Sequence, residues 1–169
     1  MIGQRPRLLN RTLLNELDPS GYLHRLTLCP LGMKAGLEIE CGEGVRVSSS
    51  RNKGWPMFGI STDDFKETWT ELDIDEYCKV ADPREIPFND DSFDYVVWSD
   101  VISYRDNTDI LAALREMWRV GNKSYTFRLP FTGDCTMDWW AARLTELHYA
   151  VEVISLGFEE DVVVGAFKV

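Results

Sequence analysis

Apolar positions change their period along this chain, and the changes mark out its elements. Leu9, Leu13, Leu14 and Leu17 recur at helical spacing, which predicts an amphipathic helix over about 7–17. Asp18-Pro19-Ser20-Gly21 breaks it, and 22–31 reads equally as a short helix or a loop. An alternating run over 36–41 then predicts a strand, with Gly42 and Gly44 at its exit. Residues 45–53 stand where a doubly wound unit needs a helix. Ser48-Ser49-Ser50 is poor helix material, and only Val45 and Val47 offer an apolar face. Gly54 and Pro56 punctuate the chain before a second strand over 57–61.

Thr62 is the expected N-cap of a helix that puts Phe65, Trp69 and Leu72 on one face. Third and fourth strands are expected over 77–81 and 93–98. The second of these is almost wholly apolar, as a strand buried on both faces would be. The most regular helix spans 107–120, with Ile110, Leu111, Leu114, Met117 and Trp118 in phase. A fifth strand follows at 124–129. A helix is marked by Met137, Trp140, Leu144 and Leu147, and two strands at about 151–157 and 161–168 are close enough for a hairpin. Strand–helix alternation with an antiparallel end argues an α/β fold, doubly wound around a mostly parallel sheet. With no internal repeat or low-complexity segment, residues 1–169 read as one domain: a leading helical arm (1–35) and an α/β core (36–169).

Charge narrows the partners. A net charge of −10, from 18 basic and 28 acidic residues, repels polyanions, so nucleic-acid binding is disfavoured. The densest basic stretch, Arg5 to Arg11, is short. The cysteines Cys29, Cys41, Cys78 and Cys135 form no C-x-x-C pair. With only His24 and His148 beside them, no structural metal is expected. Cys41 and Cys78, in strand-like runs, read as small buried hydrophobes. No apolar run reaches membrane-spanning length and the N-terminal stretch lacks an apolar signal core, so a reduced, cytoplasmic setting is expected.

Five blocks in order carry a resemblance. They are Glu38-Ile-Glu-Cys-Gly-Glu-Gly44, Phe58-Gly-Ile-Ser61, Ala81-Asp-Pro-Arg-Glu-Ile-Pro-Phe88, Asp91-Ser-Phe-Asp-Tyr-Val-Val97 and Leu114-Arg-Glu-Met-Trp-Arg-Val120. Together they resemble class I S-adenosylmethionine-dependent methyltransferases, most closely the small-molecule-type methyltransferase domain, over about 36–130. The resemblance implies a Rossmann-like fold, S-adenosylmethionine as cofactor and a small-molecule acceptor. It also implies roles for single residues. Glu38 takes the acidic position at the end of the first strand, with Glu40 beside it. Cys41 and Gly42 line the loop beneath the methionine and ribose portions. Ser61 falls where the family has an acidic residue on the ribose hydroxyls. Asp82 accepts from the adenine amino group, Pro83 lies beside the ring, and Trp98 and Ser99 approach the methionine end. The physics of open α/β sheets agrees, since ligands bind outside the carboxyl ends of the strands, and carboxylates there suit a sulfonium.

Two departures stand out. Glu40 occupies the family's first loop glycine, and a positive φ there costs a glutamate roughly 1–3 kcal/mol. Ser61 lacks the ribose carboxylate, a charge-assisted bond worth roughly 1.5–3 kcal/mol, or about tenfold to a hundredfold in affinity. Asp63 substitutes for it if its loop bends inward. A non-catalytic methyltransferase-like subunit, acting with a protein partner or as a homodimer, is the alternative these departures favour. A dinucleotide enzyme is disfavoured, because the loop reads Gly42-x-Gly44-x-x-Val47 and not G-x-G-x-x-G. No catalytic base is legible. Asp100, Tyr104 and His24 are the first residues to test, whereas His148 and the pair Trp139–Trp140 read as structural. The acceptor, the oligomeric state and the pathway leave no mark in the sequence.

Overall fold

The computed structural model describes residues 35–98, 106–156 and 161–168. The leading arm, with His24, and the segment carrying Ser99, Asp100 and Tyr104 lie outside the described residues. Seven strands form one sheet in the order β3-β2-β1-β4-β5-β7-β6. They are β1 (Gly36–Ile39), β2 (Met57–Ser61), β3 (Cys78–Val80), β4 (Phe93–Trp98), β5 (Gly121–Pro130), β6 (Tyr149–Leu156) and β7 (Asp161–Lys168). Strands β3, β2, β1, β4 and β5 run parallel, and β7 pairs antiparallel with both β5 and β6. The doubly wound Rossmann-like sheet expected from the sequence is therefore present, closed by its antiparallel pair.

Among the described residues four helices cover the two faces: α1 (Val45–Asn52), α2 (Lys66–Glu71), α3 (Asn107–Val120) and α4 (Met137–Glu146). On one face Leu37, Ile39, Ile60, Val96 and Trp98 pack with Ile110, Leu114 and Met117 of α3 and with Trp140 and Leu144 of α4. On the other, Met57, Cys78, Tyr95 and Val97 pack with Val47 of α1 and Trp69 of α2. Each large apolar side chain so buried contributes roughly 1.5–3 kcal/mol, enough to hold helices too short to persist alone. That accounts for α1. Its serines are poor helix formers, yet every residue from Val45 to Ser50 is buried, and tertiary packing overrides the weak propensity.

Three local expectations are corrected. Strand β1 stops at Ile39, not at residue 41, because Glu40 turns to φ 53°. Thr62 does not cap α2. That helix begins at Lys66 after Phe65, with Asp64 Oδ1 accepting from Lys66 N, while Thr62 is engaged elsewhere. Strand β5 starts at Gly121, three residues early, since α3 passes straight into it.

Candidate functional site

The strand order reverses direction between β1 and β4, so the crevice at their carboxyl ends is where a doubly wound sheet receives a ligand. The connection from β1 to α1 borders it. Within five residues the chain takes positive φ at Glu40 (53°), Gly42 (54°) and Gly44 (80°). At Gly44 a Cβ would lie 2.4 Å from Ile74 Cδ1, so only glycine fits. At Gly42 a Cβ would meet nothing within 4 Å among the described residues. From below, Trp69 Nε1 donates to the Gly42 carbonyl at 2.8 Å and Cys41 N donates to the Ile60 carbonyl at 2.8 Å. The loop is thus fixed to the α2 layer through the Gly42 carbonyl.

Glu40 is the unusual member. A left-handed glutamate carries roughly 1–3 kcal/mol of backbone strain. Its carboxylate crosses to the tip of β2, where Thr62 N and Thr62 Oγ1 both donate to Oε1, at 3.2 and 2.5 Å. Ser61, the last residue of β2, is buried, and Asp63 is exposed on the loop beyond.

Glu38 and Cys41 are both buried. Glu38 is buried, with Oε1 3.6 Å from Nη1 of the equally buried Arg46 of α1. It neutralises a cation beneath the loop. Cys41 turns its side chain into the α2-side core. Contact with the Cys78 thiol, then burial, raises the Cys41 thiol above its usual pKa. Both cysteines are buried and free, as expected.

Asp82 stands just past β3. Its Oδ1 accepts from Arg84 N at 2.8 Å and Arg84 Nε at 3.0 Å, and its Oδ2 accepts from Arg84 Nη2 at 2.7 Å. Arg84 Nη1 also reaches Asp109 Oδ1 of α3 at 3.0 Å, tying the tip of β3 to the opposite layer. The Arg84 hydrogen bonds hold the Asp82 carboxyl below the usual range, so at neutral pH it is ionised and accepts only. Pro83 is buried beside it. Trp98 is the last residue of β4 and is fully buried in the α3–α4 core.

The final block of the resemblance, 114–120, turns out to be a fastening. Arg119 donates from Nε to Glu116 Oε1 (2.7 Å) and from Nη2 to Glu116 Oε2 (2.8 Å). Its Nη1 donates to the Phe88 carbonyl (2.9 Å) and Asp90 Oδ1 (2.8 Å), and Nη2 also reaches the Ile86 carbonyl (2.9 Å). Ile86 N in turn donates to Glu116 Oε2 at 2.9 Å. The segment that follows Asp82 and Pro83 is pinned to α3 this way. Sequence reading passed over Arg46, Arg84 and this pair. The only available signals were the i,i+3 spacing of Glu116 and Arg119 and the proximity of Arg84 to Asp82. Trp140 is core, its Nε1 donating to the Pro130 carbonyl at 2.7 Å, as the structural reading of the Trp pair expects.

Comparison with known proteins agrees with this geometry. Residues 37–124 match a family model described as a methyltransferase domain. The structure is similar to an S-adenosylmethionine-dependent methyltransferase from Methanosarcina mazei (TM-score 0.70, 15% identity, 88% of this chain and 97% of that one). It is also similar to an S-adenosylmethionine-dependent methyltransferase from Aquifex aeolicus (TM-score 0.65, 15% identity, 96% and 100%). A third is geranyl diphosphate C-methyltransferase from Streptomyces coelicolor, solved with Mg2+, geranyl diphosphate and S-adenosylhomocysteine (TM-score 0.66, 13% identity, 91% and 79%). At these identities the likenesses establish the fold. No curated protein matches the sequence. Because the family model covers more than half of the chain and carries both the glycine loop and Asp82, the chain belongs to the methyltransferase domain family.

Proposed function

We propose that this chain binds S-adenosylmethionine at the tips of β1 to β4 and directs its methyl group to a small-molecule acceptor. One observation carries the reading: a glycine loop that no described atom crowds at Gly42 stands beside two strand tips that each bear an oriented carboxylate, Glu40 over β2 and Asp82 after β3. The residues fit the group. Gly42 leaves room for close backbone approach, and the ionised Asp82 is an acceptor suited to an adenine amino donor. When bound, the cofactor supplies a methyl group made electrophilic by its sulfonium.

The chain's own residues bind and orient. The Cys41 and Gly42 backbone forms the floor, Ser61 closes the β2 side, and Asp82 and Pro83 hold the base. Glu38, paired with Arg46, supports the loop from beneath. Alignment of this kind is worth up to about 7–11 kcal/mol of a transfer barrier, so a dedicated base is required only when the acceptor carries a proton.

Calorimetric titration with S-adenosylmethionine and S-adenosylhomocysteine tests this, with micromolar binding expected. Silence at millimolar ligand removes the cofactor and leaves the second reading, a non-catalytic subunit, which the absence of a carboxylate at Ser61 favours.

A further inference from the structure

We infer that Glu40 is the ribose-recognising residue of this site, and that it supplies from β1 the carboxylate that the tip of β2 lacks. The inference rests on the cofactor reading above and deepens it.

Nucleoside sites on parallel sheets hold the ribose diol with an acidic side chain at the end of the second strand, because one carboxylate can accept from two neighbouring hydroxyls. Here that strand ends in Ser61, which can offer a single neutral oxygen. The structure places a carboxylate at the same tip by another route. Glu40 leaves β1 one residue past Ile39 and spans a gap of 22 residues in sequence to Thr62, the neighbour of Ser61. Two donors of Thr62, one backbone and one hydroxyl, converge on Oε1. Converging donors fix the orientation of the carboxylate. Thr62 therefore serves as a positioning residue, and its hydroxyl is used here and not as a helix cap.

The backbone points the same way. Glu40 adopts φ 53°, where a glycine would sit without strain. Strain retained at a ligand-facing loop is the mark of a side chain kept for what it does there. At Gly42, two residues on, a Cβ would meet nothing within 4 Å among the described residues. The expected ligand chemistry is a vicinal diol of a nucleoside.

The test compares S-adenosylhomocysteine with its 2′-deoxyribose counterpart, titrated into wild type, Glu40→Gln and Glu40→Gly, with thermal denaturation of all three. Glutamine keeps an acceptor for Thr62 and removes the charge; glycine removes the side chain and the strain. Wild type is expected to prefer the ribose ligand by about tenfold or more. Both variants should lose about tenfold to a hundredfold on the ribose ligand and little on the deoxy ligand, which erases the preference. Glu40→Gly should also melt higher than wild type while binding worse. Equal loss on both ligands, unchanged affinity, or tighter binding by Glu40→Gly overturns the assignment while leaving the cofactor reading intact. Silence of wild type toward both ligands overturns the two together.

Discussion

Replacing Arg119 with alanine cuts the link between α3 and the segment after the adenine-side carboxylate, and its cost can be worked from the contacts. The guanidinium makes five hydrogen bonds: two to the Glu116 carboxylate, one to Asp90, and one each to the carbonyls of Ile86 and Phe88. Single hydrogen bonds to a charged group are worth roughly 1.5–3 kcal/mol, but they are not additive and Asp90 is mostly exposed. Discounting the Asp90 contact and allowing Glu116 and the carbonyls partial access to water leaves about 2–4 kcal/mol. For a domain of this size that is a fall in melting temperature of roughly 5–15 °C. Arg119→Lys should recover less than half, since an ammonium cannot reach two carbonyls and a bidentate carboxylate together. Chemical denaturation of wild type, both variants, Glu116→Gln and the Arg119→Ala/Glu116→Gln double variant completes a thermodynamic cycle. A coupling energy of about 0.5–3 kcal/mol is expected for a direct pair. A loss below about 0.5 kcal/mol in Arg119→Ala, or strict additivity in the cycle, would refute the fastening role.

Three further outcomes follow from the same contacts. Asp82→Ala should weaken S-adenosylhomocysteine binding about tenfold or more by calorimetry, and unchanged affinity removes Asp82 from the site. The Glu116 carboxyl lies below its ordinary value of 4.5, chiefly through its hydrogen bonds from Arg119. Its stabilisation is therefore complete above that value and lost as pH falls through the lowered one. The stability gap between wild type and Glu116→Gln should stay flat from about pH 8 to 5 and narrow only below about 4.5; a gap that narrows near neutrality contradicts the assignment. Cys41, kept as a buried thiol by Cys78 and desolvation, should resist iodoacetamide in the native protein at pH 8 and react freely in urea, followed by mass spectrometry of the Cys41 peptide.

Local pattern revealed what local pattern determines. The apolar run of β4 is buried at every position, and Ile110, Leu114 and Met117 fill the core beneath α3 at the spacing that predicted them. What escaped were contacts between distant parts of the chain. Thr62 has the residue type of an N-cap, and nothing within several residues of it reveals that Glu40 would claim its hydroxyl from 22 positions away. Arg84 reads as one charge in a polar loop until the fold brings Asp109 of α3 to it. Arg46, in a polar run of α1, is buried by the fold against Glu38 of β1. In each case an ionic or polar partner supplied by another element decided the side chain's role, whereas hydrophobic period decided only which element it sits on.

Glu40 joins the two levels. Its residue type at a loop glycine was a visible conflict between local backbone preference and the expected ligand loop, and such conflicts concentrate where function outweighs stability. Ser61 was a second conflict, a missing carboxylate one strand away. Taken singly, each weakens the case for a nucleoside site. Placed together by the parallel register of β1 and β2, with Glu38 opposite Gly59 and Ile39 opposite Ile60, the two become complementary: one strand tip carries an extra carboxylate and its neighbour lacks one. The sheet geometry makes this exchange feasible, since adjacent parallel strands lie about 4.8 Å apart and an extended glutamate side chain spans that distance.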